Sequence, residues 1–237
     1  ILGAGVLDGE VLSHPGEGAP QGGPLSPLLA NAVLHRLDRA WMERYRRLGV
    51  LVRYADDEVI CCPTRERAEA ALVALSDILA GLDLKLSEFK TRIVGVANGE
   101  TGFDFLGFHH RMVPSRRNLH RRYLACWPSD KKMLEARARI RELTGRNRRH
   151  VPTHKLVADL NDYLRGWRQY YRFGNSTRRF AALDGYVEER MALLLSKRNG
   201  RRGRGHGVKL IIGSGNNLGI ERLTGTIKYG KAVHAAR

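Results

Sequence analysis

The chain is 237 residues long and carries 41 Lys and Arg against 24 Asp and Glu, a formal net charge of +17. That length can bury one or two domain cores, and a balance so basic excludes most partners other than a polyanion. No apolar run approaches the ~20 residues of a membrane span, which puts nucleic acid ahead of a lipid surface, and three cysteines without a Cys-x-x-Cys spacing support neither a zinc module nor a disulfide framework, only reduced thiols in a cytoplasmic protein.

Residues 1–10, with Gly3, Gly5 and Gly9, read as the end of an earlier element, and a first residue of Ile rather than Met marks the chain as a segment of something longer. Residues 14–23 form a Gly/Pro loop, where backbone can come close to a ligand because several residues lack a β-carbon. Ser26 as N-cap and Pro27 at the first helical position start a helix with Leu29, Ala32, Val33, Leu37, Ala40 and Trp41 on one face. Residues 50–54 and 59–62 are β-rich runs with Asp56 and Asp57 at the bend between them. Adjacent strand residues point to opposite faces, so neighbouring carboxylates converge only at such a bend. Crowded carboxylates repel unless a cation lies between them, and oxygen-only donors suit a hard ion such as Mg²⁺. The chemistry that follows is two-metal phosphoryl transfer; a surface Asp-Asp turn is the plain alternative.

Tyr54-Ala55-Asp56-Asp57 between apolar strands resembles the metal-binding hairpin of reverse transcriptases. Upstream, residues 18–31 (Gly-Ala-Pro-Gln-Gly-Gly-Pro-Leu-Ser-Pro-Leu-Leu-Ala-Asn) resemble the nucleotide-pocket loop and helix of the group II intron class, in the family's order and about 30 residues ahead. The resemblance implies that Asp56 and Asp57 are catalytic and bind Mg²⁺, Asp56 the more directly. It implies that Pro20, Gln21, Gly22, Tyr54 and Ala55 border the incoming nucleotide. RNA template, primer DNA and dNTPs are the implied partners.

Further along, Thr64 caps a helix with Ala68, Leu72, Leu75 and Leu79 buried, and Gly81 ends it. Residues 82–86 and 92–96 read as short strands around a loop whose Lys90 could neutralise or protonate a pyrophosphate leaving group; an ordinary exposed lysine is the alternative. The family loop has a Glu where this chain has Phe89, so the lysine carries over without its acidic neighbour. Residues 102–108, Gly-Phe-Asp-Phe-Leu-Gly-Phe, suggest a strand pair with a close backbone approach at Gly107. Phe105, Leu106 and Gly107 resemble the block that supports the primer end.

Composition changes after residue 111. Residues 1–100 hold 11 Lys and Arg against 14 Asp and Glu, and the remainder 30 against 10. A basic helix over about 130–145 leads to a loop with Arg146, Arg148 and Arg149 available to phosphates. The next helix mixes Leu156, Leu160, Leu164, Trp167 and Tyr171 with Arg165, Arg168 and Arg172, a pattern of core aromatics that also suits gripping unpaired bases. Residues 164–176 and the apolar positions after them resemble the maturase region, or domain X, of group II intron proteins, which implies a thumb over the duplex and a surface for intron RNA.

The expected fold is α+β: a partial reverse-transcriptase palm with part of the fingers over 1–112, a helical thumb/maturase domain over 113–200, and a basic flexible tract with a final strand over 201–237. The expected function is RNA-directed DNA synthesis with a maturase role in splicing and mobility. Because the family's other palm aspartate would precede Ile1, the segment alone is expected to be inactive and to need the missing N-terminal half. The alternatives are an RNA-binding maturase that does not polymerise, or a non-functional piece of a mobile element.

Overall fold

The computed structural model describes residues 6–8, 11–13, 25–87, 89–115, 118, 120–201, 203–213 and 217–228, with backbone alone at 6–8, 11–13, 212, 213 and 217. It divides into two compact units, Ile1–Gly95 and Val96–Arg237. Both mix helices with small antiparallel sheets, as the sequence predicts. The expected border at residue 112 falls within a strand of the second unit.

In the first unit, β1 (Val6–Asp8) and β2 (Val11–Ser13) pair antiparallel. Helix α1 (Ser26–Ala40) runs on into a π turn over Trp41–Tyr45. Its cap differs from expectation by one residue: Leu25 has helical angles (φ −90°, ψ −17°) and its carbonyl accepts from Leu29 N, which draws Ser26 inside the helix. The buried stripe is also turned. Leu34, Leu37 and Trp41 are enclosed while Leu29 and Val33 are exposed, because only the C-terminal part of α1 meets α2 (Arg65–Ala80), through Ala71, Ala74, Leu75 and Leu79. Thr64 caps α2 as expected, its side chain accepting from Arg67 N, and Gly81 closes it. Between the helices lie β3 (Val50–Tyr54) and β4 (Asp57–Cys61), whose Leu51 and Ile60 pack onto the same core. Trp41 Nε1 donates to Gly49 O at 3.0 Å and fixes the entry to β3. The predicted strands at 82–86 and 92–96 are not formed. Among the described residues neither has a ladder partner, and unpaired strand N–H groups stay with water; Leu82 and Leu86 serve instead as cover for the core.

In the second unit, β5 (Gly102–Phe105), β6 (Phe108–Pro114) and β7 (Arg122–Pro128) form an antiparallel meander. The β5–β6 connection is the two residues Leu106 and Gly107, both left-handed (φ 49° and 78°), a turn whose twist matches that of the strands. Strand β7 was not expected; the change in composition masks it. Four helices follow: α3 (Asp130–Leu143), capped by Ser129, α4 (Thr153–Tyr171), α5 (Thr177–Arg198) and α6 (Gly205–Gly213). Ile140, Leu160, Leu164, Phe180, Leu183 and Met191 are fully enclosed between them. The basic tract is the link from α5 to α6, and Val208, Leu210 and Ile211 of α6 join the core. Among the described residues the predicted last strand reduces to one parallel bridge, Phe173 to Lys228, because the chain turns at Thr224–Gly225. Asp184 accepts from Leu223 N, Thr224 N and Thr224 Oγ1, and Asn161 bonds Gly219 O and Glu221 N. Two helix side chains thus hold the segment. No helix among the described residues is long and apolar enough to cross a membrane.

His110 of β6 stacks on Phe103 (5.1 Å between centroids), and burial, with His109 beside it, holds its pKa below the ordinary 6.5. Unfolding returns the imidazole to that range, so the unfolded chain binds more protons. The stability that the neutral ring allows is complete above about pH 6.5 and is lost as pH falls below it. The thermal midpoint of this unit is expected to fall between about pH 7.5 and 5.5, and His110→Gln to flatten the fall; an unchanged slope in the variant would remove His110 as its cause.

Candidate active-site hairpin and nucleic-acid interface

Strands β3 and β4 pair in the register Val52↔Val59, Arg53↔Glu58, Tyr54↔Asp57, so the turn is only Ala55 and Asp56. Paired residues share a face. Tyr54 and Asp57 therefore stand with Val50 and Val52 on the open face, and Tyr54 is 66% exposed. Ala55 has φ 54°, a left-handed conformation in which a residue with a β-carbon is uncommon. Asp56 and Asp57 are both exposed, and neither carboxylate has a protein partner among the described residues. Lys90 is exposed on a turn in which its own N–H and that of Thr91 both bond Ser87 O (3.0 and 2.9 Å). Pro20, Gln21 and Gly22 lie outside the described residues.

Arg53, which sequence reasoning passed over, points to the other face and ties the turn to α1. Its Nε and Nη2 donate to the two oxygens of Asp38 (2.9 and 2.5 Å), and Nη1 donates to Asn31 Oδ1 (2.9 Å) and to Ala55 O (2.8 Å). The guanidinium lowers the Asp38 pKa through its hydrogen bonds. Across the ladder, burial pushes Glu58 upward, and its Oε2 has no partner among the described residues. The available signal was an arginine at an inward strand position with an aspartate next to the buried stripe of the preceding helix. Arg53→Ala is expected to cost about 2 kcal/mol, below the range for fully buried pairs because Asp38 is partly exposed, and Arg53→Lys about half as much, since an ammonium cannot reproduce the planar fork. Urea unfolding followed by Trp41 emission checks this; an unchanged midpoint would mean that the clamp holds nothing.

In the second unit, Phe105 ends β5 and the Leu106–Gly107 turn is braced. Tyr170 OH donates to Leu106 O (2.9 Å) and Ser129 N to Gly107 O (2.9 Å), and a Cβ at Gly107 would stand 2.7 Å from Tyr171 OH. Trp167 and Tyr171 pack against each other (4.6 Å), and Trp167 also against Phe180 (5.5 Å). Tyr171 is 5% exposed, and burial, with Tyr170 next to it, raises its pKa to about 12. Around the C-terminal end of α4 the exposed aromatic side chains are Tyr170 and, just past the helix, Phe173; Tyr170 lies off the Leu156–Leu160–Leu164–Tyr171 stripe and could have been read from that spacing. Arg165 pairs with Asp162 (2.5 Å) and Arg168 with Glu221 (3.0 Å); Arg172 bonds Gln169 (2.9 Å) and lies over Phe173. In the 146–149 loop, Arg148 is committed to Asp159 and to Leu143 O, while Arg146 and Arg149 are exposed without an ion-pair partner among the described residues.

The model of the family described as "Reverse transcriptase (RNA-dependent DNA polymerase)" matches residues 12–110, and that described as "Group II intron, maturase-specific domain" matches residues 133–209. The first takes in the acidic hairpin and the β5–β6 turn, the second α3 through α5 and the start of α6. Together, in this order along the chain, the two matches support the group II intron reverse transcriptase/maturase family. Protein YkfC of Escherichia coli (strain K12) is 32% identical over 145 residues, an alignment taking in 48% of this chain and 37% of that protein. The chain thus spans little more than a third of that relative's length. The stretch between the two matched segments holds β7, where neither model matches.

Proposed function

We propose that this chain is the C-terminal part of an RNA-directed DNA polymerase that is also an intron maturase. The observation that carries the reading is the two-residue turn that puts Asp56 and Asp57, both unpartnered, at the tip of an open hairpin face beside Tyr54. Two adjacent oxygen donors fit one side of a hard divalent ion, which takes the rest of its six ligands from water, phosphate or a further carboxylate; among the described residues no third His, Cys, Asp or Glu joins them. Asp56 and Asp57 would hold Mg²⁺ there. Such an ion supplies the charge that favours deprotonation of a primer hydroxyl and balances a leaving pyrophosphate. Tyr54 and Ala55 form the floor under the primer end, Lys90 serves the pyrophosphate, and Pro20, Gln21 and Gly22 border the dNTP. Phe105, Leu106 and Gly107 steady the primer strand. On the second unit, Arg146, Arg149 and Arg172 with Tyr170 and Phe173 contact RNA, and Arg148, Arg165, Arg168, Trp167 and Tyr171 hold that surface in shape. A cytoplasmic location accompanies this reading.

A maturase that binds intron RNA without polymerising is the second reading, favoured by the pair of carboxylates standing without a third among the described residues. Primer extension on an RNA template separates the two. The reading expects synthesis when the chain is supplied with its upstream half and none from the chain alone; no synthesis from the complete protein, with RNA binding intact, favours the second.

A further inference from the structure

A cavity of about 160 Å³ opens between the end of α3, the 146–149 loop and the C-terminal half of α5. Four cations line it: Arg146, Arg149, Arg190 and Lys197. Among the described residues no acidic side chain does. The nearby carboxylates are engaged elsewhere, Glu142 with Arg139 (2.6 Å) and Glu189 with Arg204 (3.8 Å). Two other arginines of the region are also taken, Arg148 by Asp159 and Arg198 by Thr153 Oγ1 (2.8 Å) and the carbonyl of Val151. The four lining cations have no such counter-charge among the described residues. Arg190 is held in place from one side, its Nε donating to Thr144 Oγ1 (3.2 Å) and its Nη2 to Thr144 O (3.3 Å). Thr144 is fixed in turn, its hydroxyl donating to Ile140 O (2.7 Å). A guanidinium anchored along one edge keeps its Nη1 hydrogens for something else. Thr144, Leu193 and Leu194 complete the lining, and the two leucines give the cations a low-dielectric wall on one side.

Gathering four positive charges around one space is unfavourable unless an anion enters it. The cavity, roughly five water volumes at ~30 Å³ each, admits a group the size of phosphate, and arginine's fork matches phosphate oxygens. We propose that this cavity binds a phosphate group of RNA, with Arg190 as the fixed contact and Arg146, Arg149 and Lys197 closing round it. The proposal rests on the reading of the second unit as an RNA-binding maturase domain and gives that domain a discrete anchoring point.

The test uses the whole chain and a short RNA, with affinity measured across salt concentrations. Arg146→Gln/Lys197→Gln removes two exposed cations whose side chains bond nothing among the described residues, and Arg178→Gln/Arg201→Gln removes the same charge elsewhere on the unit. The cavity variant is expected to bind roughly tenfold more weakly at moderate salt, with a log–log salt slope shallower by about 0.7 for each phosphate interaction removed, and the control to change less than twofold. Arg190→Lys, which keeps the charge but loses the two-point hold on Thr144, is expected to weaken binding several-fold. Equal losses in the cavity variant and the control would overturn the cavity as a site while leaving RNA binding intact. No binding by the unsubstituted chain would overturn both this proposal and the maturase reading. RNAs with a 5′-hydroxyl and a 5′-phosphate distinguish the sources. Equal affinities that fall together in the variant assign a backbone phosphate, and a preference for the 5′-phosphate that the variant loses assigns a terminal one. Inorganic phosphate that protects the chain against heating equally well in the cavity variant and the unsubstituted protein would count against the site.

Discussion

Alanine at Asp56 or Asp57 is expected to lower RNA-templated DNA synthesis by the complete protein at least a thousand-fold while leaving RNA binding by this chain within twofold. The rate argument is electrostatic. Charge that builds on the attacking and leaving oxygens of a phosphoryl transfer must be met by cations held in position, and taking away a carboxylate that holds one removes several kcal/mol from the barrier lowering. The stability argument runs the other way. Both side chains are exposed at a hairpin tip with no protein partner among the described residues, so their loss costs the fold little. The ladder from Val50↔Cys61 to Tyr54↔Asp57 and the bond from Arg53 to Ala55 O do not involve them. Measured extension rates beside urea midpoints check both halves. Residual synthesis within tenfold of the parent would take the acidic hairpin out of the chemistry.

Gly207→Ala is expected to destabilise the second unit by about 3 kcal/mol, a fall in melting temperature near 10 °C. On an isolated helix the same change would stabilise by about 1 kcal/mol, so the sign is decisive. A β-carbon at 207 would stand 1.9 Å from the carbonyl oxygen of Ala192 and 2.6 Å from its Cα, and no rotamer change moves backbone. Helix α6 would have to back away from α5, drawing Ile211 out of the core and stretching the bond of 2.7 Å from Gly207 N to the buried Ser196 Oγ. Differential scanning calorimetry reads the effect; a melting point at or above the parent's would show that α6 docks less closely than described.

The parts of the fold that the sequence announces are those in which local chemistry and long-range packing agree. An acidic bend between β-branched runs makes the hairpin, one residue earlier than read, at Ala55-Asp56 with Asp57 already in β4; Leu-Gly between phenylalanines makes the β5–β6 turn, and Leu160, Leu164 and Trp167 at helical spacing make α4. What stayed hidden depends on partners. Residues 82–86 and 92–96 have strand composition, but pairing is a property of neighbours, and the described residues supply none. Helix α6 hides behind glycines and arginines that read as a solvated tract, because its docking depends on Gly207 lacking a side chain. At the candidate site, the exposed hairpin tip that carries Asp56 and Asp57 was legible from type and spacing, their proposed role only from the resemblance. Arg53 was not, since an arginine beside a motif reads as surface charge until the facing helix shows Asp38. The aromatic positions on α4 were legible as a group, but exposure sorts Tyr170 from Tyr171 by one step of helical rotation, about 100°, finer than a stripe drawn by eye resolves.

The Arg53 clamp reaches beyond stability. Helix α1 follows directly on the stretch of sequence that holds Pro20, Gln21 and Gly22, and a single guanidinium couples that helix to the carbonyl at the hairpin's apex. Sliding or tilting of that helix against β3 would pull on the apex carbonyl through the guanidinium as well as through the core they share. Under the proposed function, substrate grip at one end and readiness for chemistry at the other would be geared together.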